Sequence, residues 1–257
     1  MTQLTITKAG VNLGARVEGL DLRTMEPDEV RKLLLPILLE HHVLVIPGEK
    51  LAIDELERFA RAWGDLLEHP ATRVDQTPFI QLIMSEGEGD DRLGLWHSDM
   101  TWHPTPPKIT MLQARKLPSE GGGTIFANQH LAYDAFPEHL RSQLDDAMAW
   151  HSGKVFDPDM PVTLHPAIRT HDETGRKALY VNMPFTKTIE GMDDAAGCEL
   201  ILRTVLHATQ PEFTYRHDWE VGDLVLWDNR SVMHAPIRDY SERRVMYRAV
   251  VAGDAPA

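Results

Sequence analysis

Only one of the 257 residues, Cys198, is a cysteine, so a disulfide within the chain is impossible. A metal site closed by several thiolates, the usual shell of structural zinc, is excluded with it. Basic residues are scarce: 26 Lys and Arg stand against 39 Asp and Glu, a formal net charge of -13. Charge of that sign repels phosphate backbones and anionic lipid, so neither nucleic acid nor membrane is an expected partner. No run of 18 apolar residues occurs, and the first eight residues hold no apolar secretion signal. Repeats, low-complexity stretches and linkers are also missing, so residues 1–257 are expected to form one domain. These absences leave a soluble cytoplasmic protein as the expectation.

What is present is patterned. β-Branched alternation at 4–7 predicts a first strand, and 43–47 reads as a short buried one. Apolar spacing predicts helices over 28–41, behind Pro27, and over 53–63, stopped by Gly64, with Asp54 at the N-cap or in the first turn. Pro36 conflicts with the first helix and predicts a kink or a break. Strands are expected at 108–114, 124–128, 179–182, 224–227 and 245–251, and further helices at 132–150 and 200–209. Helices gather early and strands late, the order of an α+β fold with an antiparallel core. The polar, glycine-bearing stretch 85–92 reads as a solvated loop that can serve as a lid.

The chemistry concentrates in a few residues. Thirteen histidines include one His-x-Asp, His97-Ser98-Asp99. On a strand, positions i and i+2 share a face, so imidazole and carboxylate would point at one spot. Two histidines and one carboxylate on one face of an octahedron are the ligand set of non-haem Fe(II) oxygenases. The second histidine expected is His234, which follows an apolar run and the turn-forming pair Asp228-Asn229. The other histidines, His171 and His217 among them, are expected at the surface. Beyond His234 come Arg238, Arg243, Arg244 and Arg248. A strand at 245–251 puts Arg244, Met246, Arg248 and Val250 on one face and turns Arg243 outward. Two inward guanidiniums in an acidic protein require anions to pair with.

In this order the elements resemble the taurine dioxygenase/chlorophenoxyacetate dioxygenase family of Fe(II)- and 2-oxoglutarate-dependent oxygenases. The resemblance rests on His97-Ser98-Asp99, a histidine 135 positions after Asp99, and Arg244 ten positions beyond His234. Gly64-Asp65-Leu66-Leu67-Glu68-His69-Pro70, Gly121-Gly122-Gly123-Thr124 and Trp227-Asp228-Asn229-Arg230 match further segments of the family. It implies a double-stranded β-helix, or jelly roll, with helices outside. It implies that His97, Asp99 and His234 bind Fe(II), and that Arg244 and Thr124 take the distal carboxylate of 2-oxoglutarate. Arg248 would meet the anion of a small organic substrate, and His69 would line the substrate side. With O2 as the other cosubstrate, a C–H bond is hydroxylated and succinate and CO2 are released. Tryptophans 96, 102 and 227 are expected to pack around the metal, and Met84, Met100, Met183 and Met233 to form a soft apolar wall.

Two departures bear on the substrate. Thr72 stands where the taurine enzymes carry an aromatic hydroxyl, and the cover at 152–163 is short, which implies an open pocket or one completed by a neighbouring subunit of a homo-oligomer. The stretch from Tyr215-Arg216-His217 to Trp227 is closer to the aryloxyalkanoate branch, a lean toward an organic carboxylate. A same-fold oxidase performing desaturation, epimerisation or cyclisation remains an alternative. So do a non-catalytic jelly-roll binding protein and, less compatibly with one cysteine, a structural zinc protein.

Overall fold

The computed structural model describes residues 4–48, 50–68, 73–85 and 95–257. Strands β1 (Thr5–Lys8) and β2 (Ala15–Glu18) pair antiparallel, and β3 (Val43–Ile46) adds in parallel after helix α1 (Pro27–His41). α1 runs unbroken through Pro36, so the expected break does not occur. The proline sits on the exposed face, while Val30, Leu34 and Leu38 anchor the other face. His42 closes the helix in the left-handed region, φ 63°, with its N–H on Leu38 O. Helix α2 (Ile53–Arg61) starts with the Glu55 carboxylate accepting from Ala52 N–H at 2.7 Å; Asp54 is a first-turn acid, and Gly64 (φ 138°) follows the helix.

Next come β4 (Ile80–Ser85), β5 (Ile109–Lys116), β6 (Thr124–Asn128), α3 (Gln129–Asp134), α4 (Glu138–Arg141) and β7 (Met148–Ser152). The single helix expected at 132–150 is therefore wrong. Pro137 ends the first piece, and Met148–Ser152 takes up strand pairing with β8 (Val162–Pro166) instead. Strands β9 (Ile168–Thr170), β10 (Lys177–Leu179) and β11 (Thr186–Ile189) lead to helix α5 (Asp194–Ala208). That helix begins earlier than its apolar spacing suggests, because Asp193 Oδ1 caps Ala196 N–H at 3.0 Å. The chain closes through β12 (Thr214–His217), β13 (Leu224–Asp228), β14 (Val232–Pro236) and β15 (Arg244–Val251).

One sheet has seven strands in the order β1-β2-β3-β13-β5-β15-β4, and a smaller one runs β12-β6-β14. Alternation explains how they stack. Along β3 and β13, Leu44, Ile46, Leu224 and Leu226 pack against Leu34, Leu38, Leu56 and Phe59 of α1 and α2. The intervening Val43, Val45, Val225 and Trp227 turn inward with Ala114 and Met246, and meet Phe126 and Val232 of the smaller sheet. This is an α+β fold with a double-stranded β-helix core and helices outside. A third cluster joins α3 and α5 to β7, β9, β10 and β11. Among the described residues no helix is long and apolar enough to cross a membrane.

Candidate active site

His97 and Asp99 do not share a strand. His97 makes a single antiparallel bridge to His234 of β14, with His97 N–H on His234 O at 3.0 Å and His234 N–H on His97 O at 2.8 Å. Asp99 already belongs to a tight turn, with Met100 at φ 45°. The backbone bridge itself therefore sets the two imidazoles side by side, ring centroids 4.3 Å apart. The turn then swings the carboxylate back toward them. Asp99 Oδ1 lies 3.8 Å from His97 Nε2 and 3.9 Å from His234 Nε2, and one ligand atom from each residue lies within 4.8 Å of the others.

The donor set fits a ferrous ion. His97 Nδ1–H donates to Leu95 O at 2.7 Å, which leaves Nε2 as the lone-pair nitrogen. Burial lowers the His97 pKa, and burial together with the neighbouring His97 brings His234 down to about 3, so both imidazoles are neutral and able to bind a cation. Burial alone would raise the Asp99 carboxyl, but the Arg248 guanidinium and the Thr110 hydroxyl lower it and keep it ionised. Two neutral imidazoles and one carboxylate, with no thiolate near, match the facial triad.

Thr124 and Arg244 meet at a common neighbour. Trp219 Nε1–H donates to Thr124 Oγ1 at 3.0 Å, and the Arg244 guanidinium lies 5.6 Å above the Trp219 ring. Accepting from Trp219 leaves the Thr124 proton to donate elsewhere. Arg244 is 6 % exposed, burial lowers its pKa, and its Nε and Nη2 have no hydrogen-bond partner among the described residues. A buried guanidinium of that kind calls for an anion. The glycine run lets its turn pack closely on Asp239: Gly121 and Gly122 adopt φ 73° and 74°, Gly122 N–H donates to Asp239 Oδ1 at 2.7 Å, and a Cβ on Gly121 would lie 2.6 Å from Asp239 O.

Arg248 lies on the same face of β15, four residues or roughly 13 Å along the strand. Its Nη2 makes an ion pair with Asp99 Oδ1, and its Nη1 reaches Gln81 Oε1 only at 3.5 Å. Arg243 is exposed, as the alternation requires. An apolar wall of Met100, Trp102 and Phe185 stands beside the histidines, with Phe185 edge-on to His97 at 5.9 Å and Phe156 against both aromatics. Of the four methionines expected in this wall only Met100 takes part. Met84 and Met183 are exposed, and Met233 packs in the cluster around α3 and α5. Trp227 does flank His234, at 4.6 Å between rings. His69, Thr72 and most of the loop 85–92 lie outside the described residues. Leu66 and Leu67 pair with the end of β15, so the segment leading to His69 is anchored there.

The largest correction concerns the remaining histidines. His42, His130, His151, His165, His171 and His217 are buried, not at the surface. Each has a partner distant in sequence or hidden in a turn: Ser231 Oγ for His42, Lys177 O for His130, Thr101 Oγ1 for His151, His103 O for His165, Asp228 for His171 and Asp223 for His217. The sequence also offered a second His-x-carboxylate, His171-Asp172-Glu173, which with Asp228 forms another potential cation cage. Arg230 fills it. Its Nε and Nη2 bind both oxygens of Asp228 at 2.9 and 2.7 Å, Nη1 binds Asp172 Oδ2 at 2.9 Å, and Nη2 binds Glu173 Oε2 at 2.7 Å. Burial raises the Asp228 carboxyl, but Arg230 and His171 hold it far below the carboxylate range.

Sequence reasoning passed over Thr110, Asn229 and Gln81, all buried around Asp99 and Arg248. The only signal was the inward phase of β5 for Thr110 and the matched tetrapeptide for Asn229.

The family model for taurine catabolism dioxygenase TauD, TfdA family matches residues 5–250. An alpha-ketoglutarate-dependent 2,4-dichlorophenoxyacetate dioxygenase of Cupriavidus pinatubonensis is 36% identical, over 94% of this chain and 95% of its own length. An alkylsulfatase of Acinetobacter baylyi is 32% identical, over 98% of this chain and 86% of its own. Among solved structures, a taurine dioxygenase from Burkholderia xenovorans superposes with a TM-score of 0.88 at 32% identity, covering 99% of this chain and 91% of that one.

Proposed function

The chain belongs to the taurine catabolism dioxygenase TauD/TfdA family, and from that membership we propose that His97, Asp99 and His234 hold its ferrous ion. It is a non-haem iron enzyme that uses 2-oxoglutarate and O2 to oxygenate a small anionic organic molecule, with succinate and CO2 as co-products. That sets aside the non-catalytic and zinc readings. Residues 1–257 form one dioxygenase domain in this reading. When bound, the iron and its cosubstrates supply the oxidising power that removes hydrogen from a C–H bond.

The protein's part is binding, orientation and exclusion of water. Arg244 and the Thr124 hydroxyl hold the distal carboxylate of 2-oxoglutarate, a role supported by two orphaned guanidinium nitrogens buried beside Trp219. Arg248 takes the substrate anion, with His69 on the same side. The Met100, Trp102 and Phe185 wall receives an apolar body, so the substrate is an aryloxyalkanoate, sulfonate, sulfate ester or similar acid. The relatives' names point to the same chemical range. A cytoplasmic homo-oligomer completes the reading, supported by the scarcity of cysteine and by exposed Leu202 and Leu206 on α5.

The observation that carries the proposal is two neutral imidazole nitrogens and one ionised oxygen converging from segments 135 positions apart. The test is succinate release from 2-oxoglutarate with Fe(II), scored over aryloxyalkanoates, sulfonates and alkyl sulfates. At least one acid should accelerate release, and Arg244→Ala should raise the 2-oxoglutarate concentration needed by tenfold or more while leaving the Fe(II) requirement alone. An unchanged 2-oxoglutarate requirement removes the Arg244 role. Succinate release surviving in His97→Ala removes the ligand set.

A further inference from the structure

Asp99 has two oxygens, and the structure treats them differently. Oδ1 faces both histidine Nε2 atoms and the Arg248 guanidinium, which makes no aligned hydrogen bond to it among the described residues, whereas Oδ2 accepts a 2.6 Å hydrogen bond from Thr110 Oγ1. Thr110 stands on β5 with no exposed surface. Its oxygen in turn accepts from Asn229 Nδ2 at 2.8 Å. The orientation of the Asn229 amide is fixed, because its Oδ1 accepts from two N–H groups: Trp227 Nε1 at 3.0 Å and the backbone of Asp99 at 3.2 Å. Every proton is thereby assigned. Trp227 gives to Asn229, Asn229 gives to Thr110, and Thr110 has only its own proton left to give to Asp99.

We infer that Thr110 and Asn229 form a one-directional hydrogen-bond relay that commits Asp99 Oδ2 and reserves Oδ1 for the metal, which makes them positioning residues of the ferrous centre. The inference rests on the reading of Asp99 as a metal ligand. A carboxylate with one oxygen tied binds through the other alone and keeps coordination positions free for the cosubstrates. Released, it can rotate or chelate and occupy a further position. The relay also gives the Trp227-Asp228-Asn229-Arg230 segment a divided task. Asp228 and Arg230 lock the turn to the 171–173 loop, and Asn229, held between them, accepts from the Asp99 backbone N–H and acts on the Asp99 Oδ2 through Thr110.

The test uses Co(II) as the probe, because its ligand-field absorption reports coordination number without turnover. Thr110→Val keeps shape and removes the hydroxyl; it should weaken Co(II) binding about tenfold or more and alter the absorption band. Thr110→Ser should restore both. Asn229→Asp offers Thr110 an acceptor in place of a donor, so it reverses the relay and should behave like the valine variant. Wild-type affinity and spectrum in folded Thr110→Val overturn the relay. If that variant does not fold, wild-type binding by Asn229→Asp, or a tenfold loss in Thr110→Ser, overturns it equally. Asp99→Ala separates the two levels. If it binds Co(II) as the wild type does, the ligand assignment falls; if it loses Co(II) while Thr110→Val does not, only the relay falls.

Discussion

Two clusters in this molecule are built from the same parts. Each has a His-x-carboxylate, each is completed by a residue between positions 228 and 234, and each includes an arginine. At Asp228 the arginine is permanent: Arg230 is 2 % exposed and satisfies both carboxylate oxygens with aligned hydrogen bonds. At Asp99 one oxygen is tied by a hydroxyl, and Arg248 touches the other through an ion pair with no aligned hydrogen bond from that nitrogen. His171 spends Nε2 on Asp228, whereas His97 and His234 turn theirs toward a shared point. Ligand types and spacing thus do not distinguish a metal centre from an internal salt bridge. What distinguishes them is whether the protein supplies its own cation with every hydrogen bond made.

The widest separation between the clusters should appear on deleting each carboxylate. Asp99→Ala should cost at least a thousandfold in succinate formation, since one of the three proposed ligands is gone, while the melting temperature moves by only a few degrees. Asp228→Ala should unfold the protein more easily by about 3–5 kcal/mol, because it strands a buried guanidinium. Urea titration and turnover measured on both variants check this. A stable Asp228→Ala protein, or an active Asp99→Ala one, would break the contrast.

Acid should act on the second region next. Burial lowers the His42 pKa to about 3 and the His130 pKa to about 4, and both rings belong to the stack that reaches His171. Burial does the same to His151, to about 3. These folded values lie below the unfolded 6.5, so unfolding takes up protons as pH falls. The stability they contribute is complete above 6.5 and is lost progressively toward 3–4. Each of the three should lose about 1 kcal/mol between pH 6.5 and 5.5. Urea midpoints measured across that window should fall together with proton uptake on unfolding; a flat profile would mean these rings are accessible or already charged.

Much of this was legible in the chain. The inward phase of Arg244 and Arg248 follows from alternation, the distant His234 from the apolar run and turn before it, and the strands β3, β5, β6, β13 and β15 from short apolar or β-branched runs. Short strands with weak alternation, such as β8 and β9, were not. Leu140 and Leu144 mimic helical spacing through a region that Pro137 divides and that turns to strand at Met148. The buried histidines were missed for a different reason. An imidazole's partner at 189 positions' distance, as for His42 and Ser231, leaves no local trace. Thr110 looked like any strand threonine, since the atom that gives it a role, Asp99 Oδ2, arrives from a turn.

The smallest effect sharpens the contrast within the second cluster. Arg230 binds three carboxylates, but Asp228 is buried while Glu173 is 37% exposed at its side chain. Water screens the outer pair, and the long glutamate must be ordered to make it, so its net worth is below about 1 kcal/mol. Glu173→Gln keeps an oxygen acceptor for Nη2 and removes only the charge. The urea midpoint should shift by less than that amount, and succinate formation should be unaffected because Glu173 touches none of the residues around Asp99. A loss above about 2 kcal/mol, within reach of the Asp228 variant, would locate the cluster's strength in the 171–176 loop rather than in the buried Asp228–Arg230 pair. The internal cation would then depend on an outside partner, and the distinction between a sealed cluster and an open one would lose its physical basis.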